Sequence, residues 1–140
     1  DDPKTQAYRD QRGGFPEKVG DLTDDQVKEL YLVFFWERCT CDRLPLRAAI
    51  ALFDRSVNQG TGGAVEQFQA AVKASPDGDI GSKTLGLLAS MGETEAVVRF
   101  LALRSLQYTK SRDFDKFGFG WFCRLFRLVV FLLEVKVERA

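Results

Sequence analysis

Apolar residues recur along most of this chain at helical rather than strand spacing. Val27, Leu30, Tyr31, Phe34 and Phe35 fall at i, i+3, i+4, i+7 and i+8, one face of an amphipathic helix. Thr23-Asp24-Asp25-Gln26, just before, has the form of a capping box, in which hydroxyl and amide satisfy the first free backbone groups. Leu46, Ala49, Ile50, Phe53 and Val57 make a second stripe that begins after Pro45 and ends at Gly60. Val65, Phe68 and Val72 predict a third helix over residues 64–74, closed by the turn residues Pro76-Asp77-Gly78. Ser82 opens a short fourth helix through Met91. Thr94 opens a fifth, in which Val97, Phe100, Leu101, Arg104 and Tyr108 align. A last helix, over residues 121–137, is apolar on most sides. Its main stripe is Leu125, Leu128, Val129, Leu132 and Leu133, with Phe122, Phe126, Val130 and Val137 flanking it. Only Val135 to Val137 hints at strand. Residues 1–22 carry little periodicity and are punctuated by Pro3, Gly13-Gly14, Pro16 and Gly20, so they predict an irregular arm. The expected fold is all-α: about six helices over residues 23–140, with that arm in front.

Composition narrows the chemistry. A chain of 140 residues with 45% hydrophobic content is one domain by size and has enough apolar material for a core. Basic and acidic residues balance at 20 each, which gives no field for gathering nucleic acid. The sequence contains no histidine, which removes the commonest general base and metal ligand, and every Ser-His or Cys-His nucleophile pair. Hydrolytic chemistry would have to run on carboxylates. Three cysteines, Cys39, Cys41 and Cys123, are too few for a thiolate metal site and read as reduced, half-buried thiols. Asp77-Gly78-Asp79 lacks the further oxygen ligands of a calcium loop and reads as the turn into the fourth helix. Neither metal nor cofactor is expected. The apolar run over residues 128–133 is too short to span a bilayer, and no secretory leader pattern opens the chain. A first residue of Asp rather than Met fits a fragment or a processed product.

Four motifs in order carry a family resemblance. Phe53-Asp54-Arg55-Ser56-Val57-Asn58-Gln59-Gly60 resembles the helix end of the small muramidases of glycoside hydrolase family 108, which are phage endolysins and secretion-associated lysozymes. Ala64-Val65-Glu66-Gln67-Phe68-Gln69 resembles the helix that opens the peptidoglycan-binding part of that family. Asp77-Gly78-Asp79-Ile80-Gly81-Ser82-Lys83-Thr84 resembles its Asp-Gly-x-Ile-Gly-x-Lys-Thr turn. Gly118-Phe119-Gly120-Trp121-Phe122-Cys123-Arg124 resembles its Gly-x-Gly-Trp-x-x-Arg segment, with Cys123 where asparagine is usual. Leu30-Tyr31 and Phe35-Trp36 match two upstream pairs. The resemblance covers residues 22–127 and implies a compact lysozyme-like domain in which residues 62–127 correspond to the peptidoglycan-binding region. It further implies a protein made in the cytoplasm of a bacterium from a phage or host gene and acting at the periplasmic cell wall.

The resemblance also implies a catalytic glutamate in a Glu-Gly-Gly motif, followed by an Asp-Pro-rich loop. Asp1-Asp2-Pro3 resembles the start of that loop, which would place the glutamate before residue 1 and make residues 1–22 a remnant of the active-site loop. Gly13-Gly14 follows Arg12, not glutamate, and Glu17 is a poor substitute. Glycoside hydrolysis uses a carboxylic acid and usually a second carboxylate, for which Asp54 is the candidate. Burial would raise its pKa unless Arg55, Arg104 or another donor compensates, and Asp54 also reads as a structural aspartate. Asn58 suits an N-acetyl group or hydroxyl, or else caps the helix before Gly60. Asp54 and Asn58, at i and i+4, share a face. Gln59, Tyr108 and Trp121 complete the expected substrate-binding set. Most of Trp36, Trp121, Tyr31 and Tyr108 would be core, with about one facing a groove. Arg99, Arg104, Lys110, Arg112 and Lys116 make the fifth helix and its loop basic, suited to anionic peptide stems or simply solvated. The expected functions are therefore an N-acetylmuramidase without its acid in this chain, a non-catalytic peptidoglycan-binding module, or an interaction protein that docks a partner or a second copy through the apolar last helix.

Overall fold

The computed structural model describes residues 2–136. Seven α-helices follow one another: α1 Pro3–Arg12, α2 Asp24–Tyr31, α3 Leu46–Gln59, α4 Thr61–Ala71, α5 Ser82–Met91, α6 Glu93–Thr109 and α7 Phe114–Glu134. A π-helical segment, Leu32–Glu37, continues α2, and short 3-10 turns occupy Val19–Asp21 and Cys41–Arg43. Among the described residues there is no strand. Val135 and Lys136 are irregular, and Val137 lies outside the described residues.

The capping box before α2 forms as expected: Gln26 N–H donates to the Thr23 hydroxyl at 3.2 Å and Thr23 N–H to the Gln26 side chain at 3.0 Å. Residues 3–12 depart from the expected irregular arm. Pro3 is a helix starter here, because its fixed φ and missing N–H suit a first turn, and the Asp2 carboxylate accepts from Lys4 N–H at 3.0 Å. Arg12 pairs with Glu29 at 3.2 Å, and the Tyr8 hydroxyl donates to the same carboxylate at 2.7 Å, so α1 is tied to α2. The Arg9 guanidinium donates to the carbonyls of Pro16 and Glu17, which holds the loop after α1.

The core lies where α3 meets α4, α6 and α7. Ala48, Ala49 and Ala51 are buried on α3, and their small side chains let neighbouring helices approach. Phe68 of α4 and Phe100 of α6 meet edge to face with ring centres 5.5 Å apart. Gly60 (φ +90°) serves α3 and α4 together, as the residue that caps the end of one and the start of the other. A positive φ is what lets the chain reverse without a loop. Helix α4 therefore starts at Thr61 rather than residue 64. Gln69, fully buried on α4, donates to Asp77, the Asp79 carbonyl and Thr84, and accepts from Gly78 N–H. That bonding explains the 77–79 turn structurally, and hydrogen bonds from Asp79 N–H and Gln69 hold the Asp77 carboxyl below its ordinary pKa. Cys39 and Cys41 are buried, and burial pushes the Cys41 thiol up to about 12.

Helix α7 starts seven residues ahead of its expected position, because Gly118 and Gly120 are accommodated inside it. Its inner stripe is Gly118, Leu125, Leu128 and Leu132, whereas Val129 is half-buried and Leu133 is 79% exposed. Phe119, Phe126, Val130 and Phe131 add to an uncovered apolar outer face. No helix among the described residues is long and apolar enough to cross a membrane. Arg47 donates to the carbonyls of Leu132 and Val135, satisfying the end of α7.

The two glycines of α7 differ. A Cβ on Gly118 would sit 2.5 Å from the Phe114 ring, while one on Gly120 meets nothing within 4 Å. Gly118→Ala is thus expected to cost about 1–3 kcal/mol through overpacking. Gly120→Ala is expected to gain up to about 1 kcal/mol from helix propensity. Denaturant titration of both variants checks this, and a stabilising Gly118→Ala would contradict the packing described.

Candidate functional site

Helices α3, α6 and α7 converge on a chain of polar side chains. Arg104 projects from α6 into the core and is wholly buried, and its guanidinium meets the Asp54 carboxylate of α3 at 2.9 Å. The close atoms are an ion pair without hydrogen-bond alignment, since neither Arg104 Nη1 nor Asp54 Oδ2 has a hydrogen-bond partner. Arg124 of α7 reaches the other carboxylate oxygen at 3.1 Å and donates to it. One carboxylate thus serves two guanidiniums. Arg104 also donates to the Tyr108 hydroxyl at 3.3 Å, and that hydroxyl accepts from the Asn58 amide at 2.9 Å. The order is Arg124, Asp54, Arg104, Tyr108, Asn58.

Tyr108 is nearly buried and stacks on Trp121, with ring centres 5.4 Å apart and planes 26° apart. Above this stack lies a cavity of about 510 Å³ lined by Asn58, Gln59, Gln107, Tyr108, Lys110, Ser111 and Trp121. Of the expected substrate-binding residues, Asn58, Gln59, Tyr108 and Trp121 come together here. Asp54 does not line the cavity; its side chain is 21% exposed and engaged by the two arginines. The Asn58 amide is directed to Tyr108 rather than to the helix end, and Gly60 N–H returns to Ser56 instead. Arg104 leaves the expected basic surface, because it is the buried partner of Asp54. Glu17 is exposed in the loop after α1, where its backbone carbonyl is the group that makes a bond.

Gln107 and Ser111 were not foreseen. Gln107 precedes Tyr108 on a face that periodicity marks as solvated, and Ser111 sits in the turn between α6 and α7. The signal for both was proximity in sequence to Tyr108. Trp36 and Tyr31 go elsewhere: both rings pack on Phe53, and Trp36 donates to Asp42 at 2.8 Å. The cavity therefore offers an indole face, three side-chain amides, hydroxyls and one ammonium. Such a set can stack on a sugar ring and bond to its hydroxyls and acetamido groups. No carboxylate is among the lining residues, so it holds no group fit to protonate a glycosidic oxygen.

The model of a glycosyl hydrolase family, Glycosyl hydrolase 108, matches residues 3–60, from α1 to the end of α3. The likeness is to glycosyl hydrolase 108. The solved structure of SagA from Brucella abortus is similar to this chain over 93% of its residues and 75% of that chain, with a TM-score of 0.80 and 26% identity. Among curated proteins no relative matches. The two likenesses support a lysozyme-type family of peptidoglycan hydrolases. The residues matched to glycosyl hydrolase 108 contribute Asp54, Asn58 and Gln59, while Tyr108 and Trp121 lie beyond them.

Asp54→Asn separates a structural carboxylate from a catalytic one. Removing its charge leaves Arg104 buried without a counter-ion, at a cost on the order of 3 kcal/mol. Thermal and urea unfolding measure the loss, and a variant as stable as the parent would contradict the role given to Asp54.

Proposed function

We propose that this chain carries the glycan-holding part of a muramidase-type site and binds peptidoglycan strands in the cavity above Trp121. The observation that carries this reading is the convergence of Trp121, Tyr108, Asn58 and Gln59 from three helices on one open cavity. The Tyr108 stack fixes the indole, and the Asn58 bond fixes Tyr108, so the platform is ordered before ligand arrives. The likeness to glycosyl hydrolase 108 over residues 3–60 supplies the polymer class, and residues 62–127, which contain Gln107, Tyr108, Lys110 and Trp121, are on this reading the peptidoglycan-binding region. Hydrolysis of the β-1,4 bond after N-acetylmuramic acid needs an acid that the lining residues do not provide. Asp54, held by Arg104 and Arg124, acts here as the anchor of the platform.

A second reading, docking of a protein partner, is favoured by the outer face of α7, where Phe119 is 86% exposed and Leu133 79%.

Sedimentation of the chain with insoluble peptidoglycan tests the first reading. The parent is expected to co-sediment, and Trp121→Ala to bind at least about tenfold more weakly, as for a central aromatic anchor. Turbidity of a peptidoglycan suspension should hardly fall, because a missing general acid costs about 10²–10⁴-fold in rate. Equal binding by Trp121→Ala would overturn the site. Rapid clearing abolished by Glu17→Gln would move catalysis to the loop after α1.

A further inference from the structure

Beside the Trp121 cavity, across the last turns of α6, lies a second hollow of about 430 Å³ lined by Arg55, Gly63, Glu66, Gln67, Ala70, Leu103, Leu106, Gln107 and Lys110. Gln107 and Lys110 belong to both, so the two hollows are neighbours on one surface. The floor of the second is the unusual part. Arg55 is 3% exposed, yet its hydrogen bonds go to neutral groups: Nε to Gln67 at 2.9 Å, Nη1 to the Gly60 carbonyl at 3.2 Å, and Nη2 to Gln107 at 3.5 Å. Among the described residues no carboxylate forms an ion pair with it.

Burial of a cation with only neutral partners is costly, and one more positive group stands near. Burial first, and Arg104 second, hold the Arg55 guanidinium below its ordinary pKa. Asp54, the preceding residue in the chain, is already occupied by Arg104 and Arg124. The hollow itself gathers two cations, Arg55 and Lys110, against one carboxylate, Glu66. A buried charge left in this condition calls for an anion from outside. At Gly63 a Cβ would lie 3.1 Å from Arg55 Nη2, so glycine is what leaves room there for the guanidinium.

We propose that the Arg55 hollow is a carboxylate subsite that reads the acidic branch of the polymer whose sugar backbone lies in the Trp121 cavity. This rests on the proposed function above. A carboxylate entering the hollow would pair with Arg55 and take Lys110 as a second, mobile partner, balancing the one positive charge that Glu66 leaves over. Peptidoglycan offers two carboxylates at such a branch: the lactyl group of N-acetylmuramic acid when no peptide is attached, and the carboxylates of the peptide stem. A neutral N-acetylglucosamine oligomer offers neither, so the hollow discriminates between glycans with the same backbone.

Gln67→Glu provides the test, because it places a carboxylate where Arg55 Nε already finds an acceptor. Calorimetric titration would compare three soluble ligands: an N-acetylglucosamine oligomer, the disaccharide of N-acetylglucosamine and N-acetylmuramic acid with its lactyl carboxylate free, and the same disaccharide bearing a peptide stem. The parent is expected to prefer at least one acidic ligand to the neutral oligomer on the order of tenfold, the size of a hydrogen bond to a charged group. Preference for the free disaccharide assigns the lactyl carboxylate, and preference for the peptide-bearing one assigns the stem. Gln67→Glu, with its own carboxylate on Arg55, should lose that preference, keep the neutral oligomer, and melt at a higher temperature than the parent. Measurable and equal affinities for all three ligands would overturn the subsite while leaving glycan binding intact. So would a preference that survives Gln67→Glu. Absence of binding by every ligand would overturn the glycan reading and this one with it.

Discussion

A buried guanidinium has to find a negative charge or the helices around it cannot close, and in this protein that constraint falls on Asp54. Arg104 has no exposure at all, and its charge is met at 2.9 Å from a different helix. The carboxylate that meets it also receives Arg124 from a third helix. Isolating either ion from water costs several kcal/mol, so the pair specifies the approach of α3, α6 and α7 more than it adds net stability. Tyr108, Trp121 and Asn58 take their positions from this contact. Arg104 fixes the Tyr108 hydroxyl, Tyr108 fixes the Trp121 ring by stacking and the Asn58 amide by a hydrogen bond. A loop-built site would not be held in this way, because its side chains would come from segments free to move independently.

The same arrangement explains why Asp54 is ill placed for acid–base work. Both oxygens of this carboxylate are taken by guanidiniums, and a general acid must be free to reach the leaving oxygen. Its place outside the cavity lining agrees with that role. The chemistry the cavity does offer is recognition: a flat indole, amides and hydroxyls for sugar, and positive charge at Lys110 and Arg55 for an acidic substituent. Position along α6 divides these roles. Arg104 and Tyr108, four residues apart, are buried and hold the structure, while Gln107 and, just past the helix end, Lys110 line both hollows.

Much of this was legible in the sequence, and the exceptions have physical causes. Helices α3 and α6 follow from 3.6-residue spacing, since each buries one apolar face, α2 from its spacing and the capping box at Thr23, and α5 from the turn at residues 76–78 and Ser82. Residues 3–12 gave no such stripe, because α1 buries little apolar surface and is held by Asp2, Tyr8 and Arg12 through polar contacts. The first turns of α4 and α7 were hidden by glycines, which normally punctuate helices. Here Gly63 accommodates the Arg55 guanidinium and Gly118 the Phe114 ring, contacts that only the packed chain reveals. Of the residues that line the cavity, Asn58, Gln59 and Trp121 lie in the quoted motifs and Tyr108 on the stripe of α6. The pairing of Arg104 with Asp54 could be posed as a question about compensation, but Arg124 lies 70 residues from Asp54 along the chain, a separation no local pattern bridges. Gln107 and Ser111 carry no chemistry distinctive enough to mark them without the cavity around them.

The central claim, that the Tyr108–Trp121 platform meets sugar, can be measured at one side chain. The chain has two tryptophans, and Trp36 packs on Phe53 away from the cavity. In a Trp36→Phe background the emission comes from Trp121 alone. Titration with soluble peptidoglycan fragments is expected to give a saturable shift in intensity and wavelength as the sugar replaces water over the indole. An emission spectrum unchanged at fragment concentrations that saturate binding by calorimetry would place the ligand elsewhere and contradict the account.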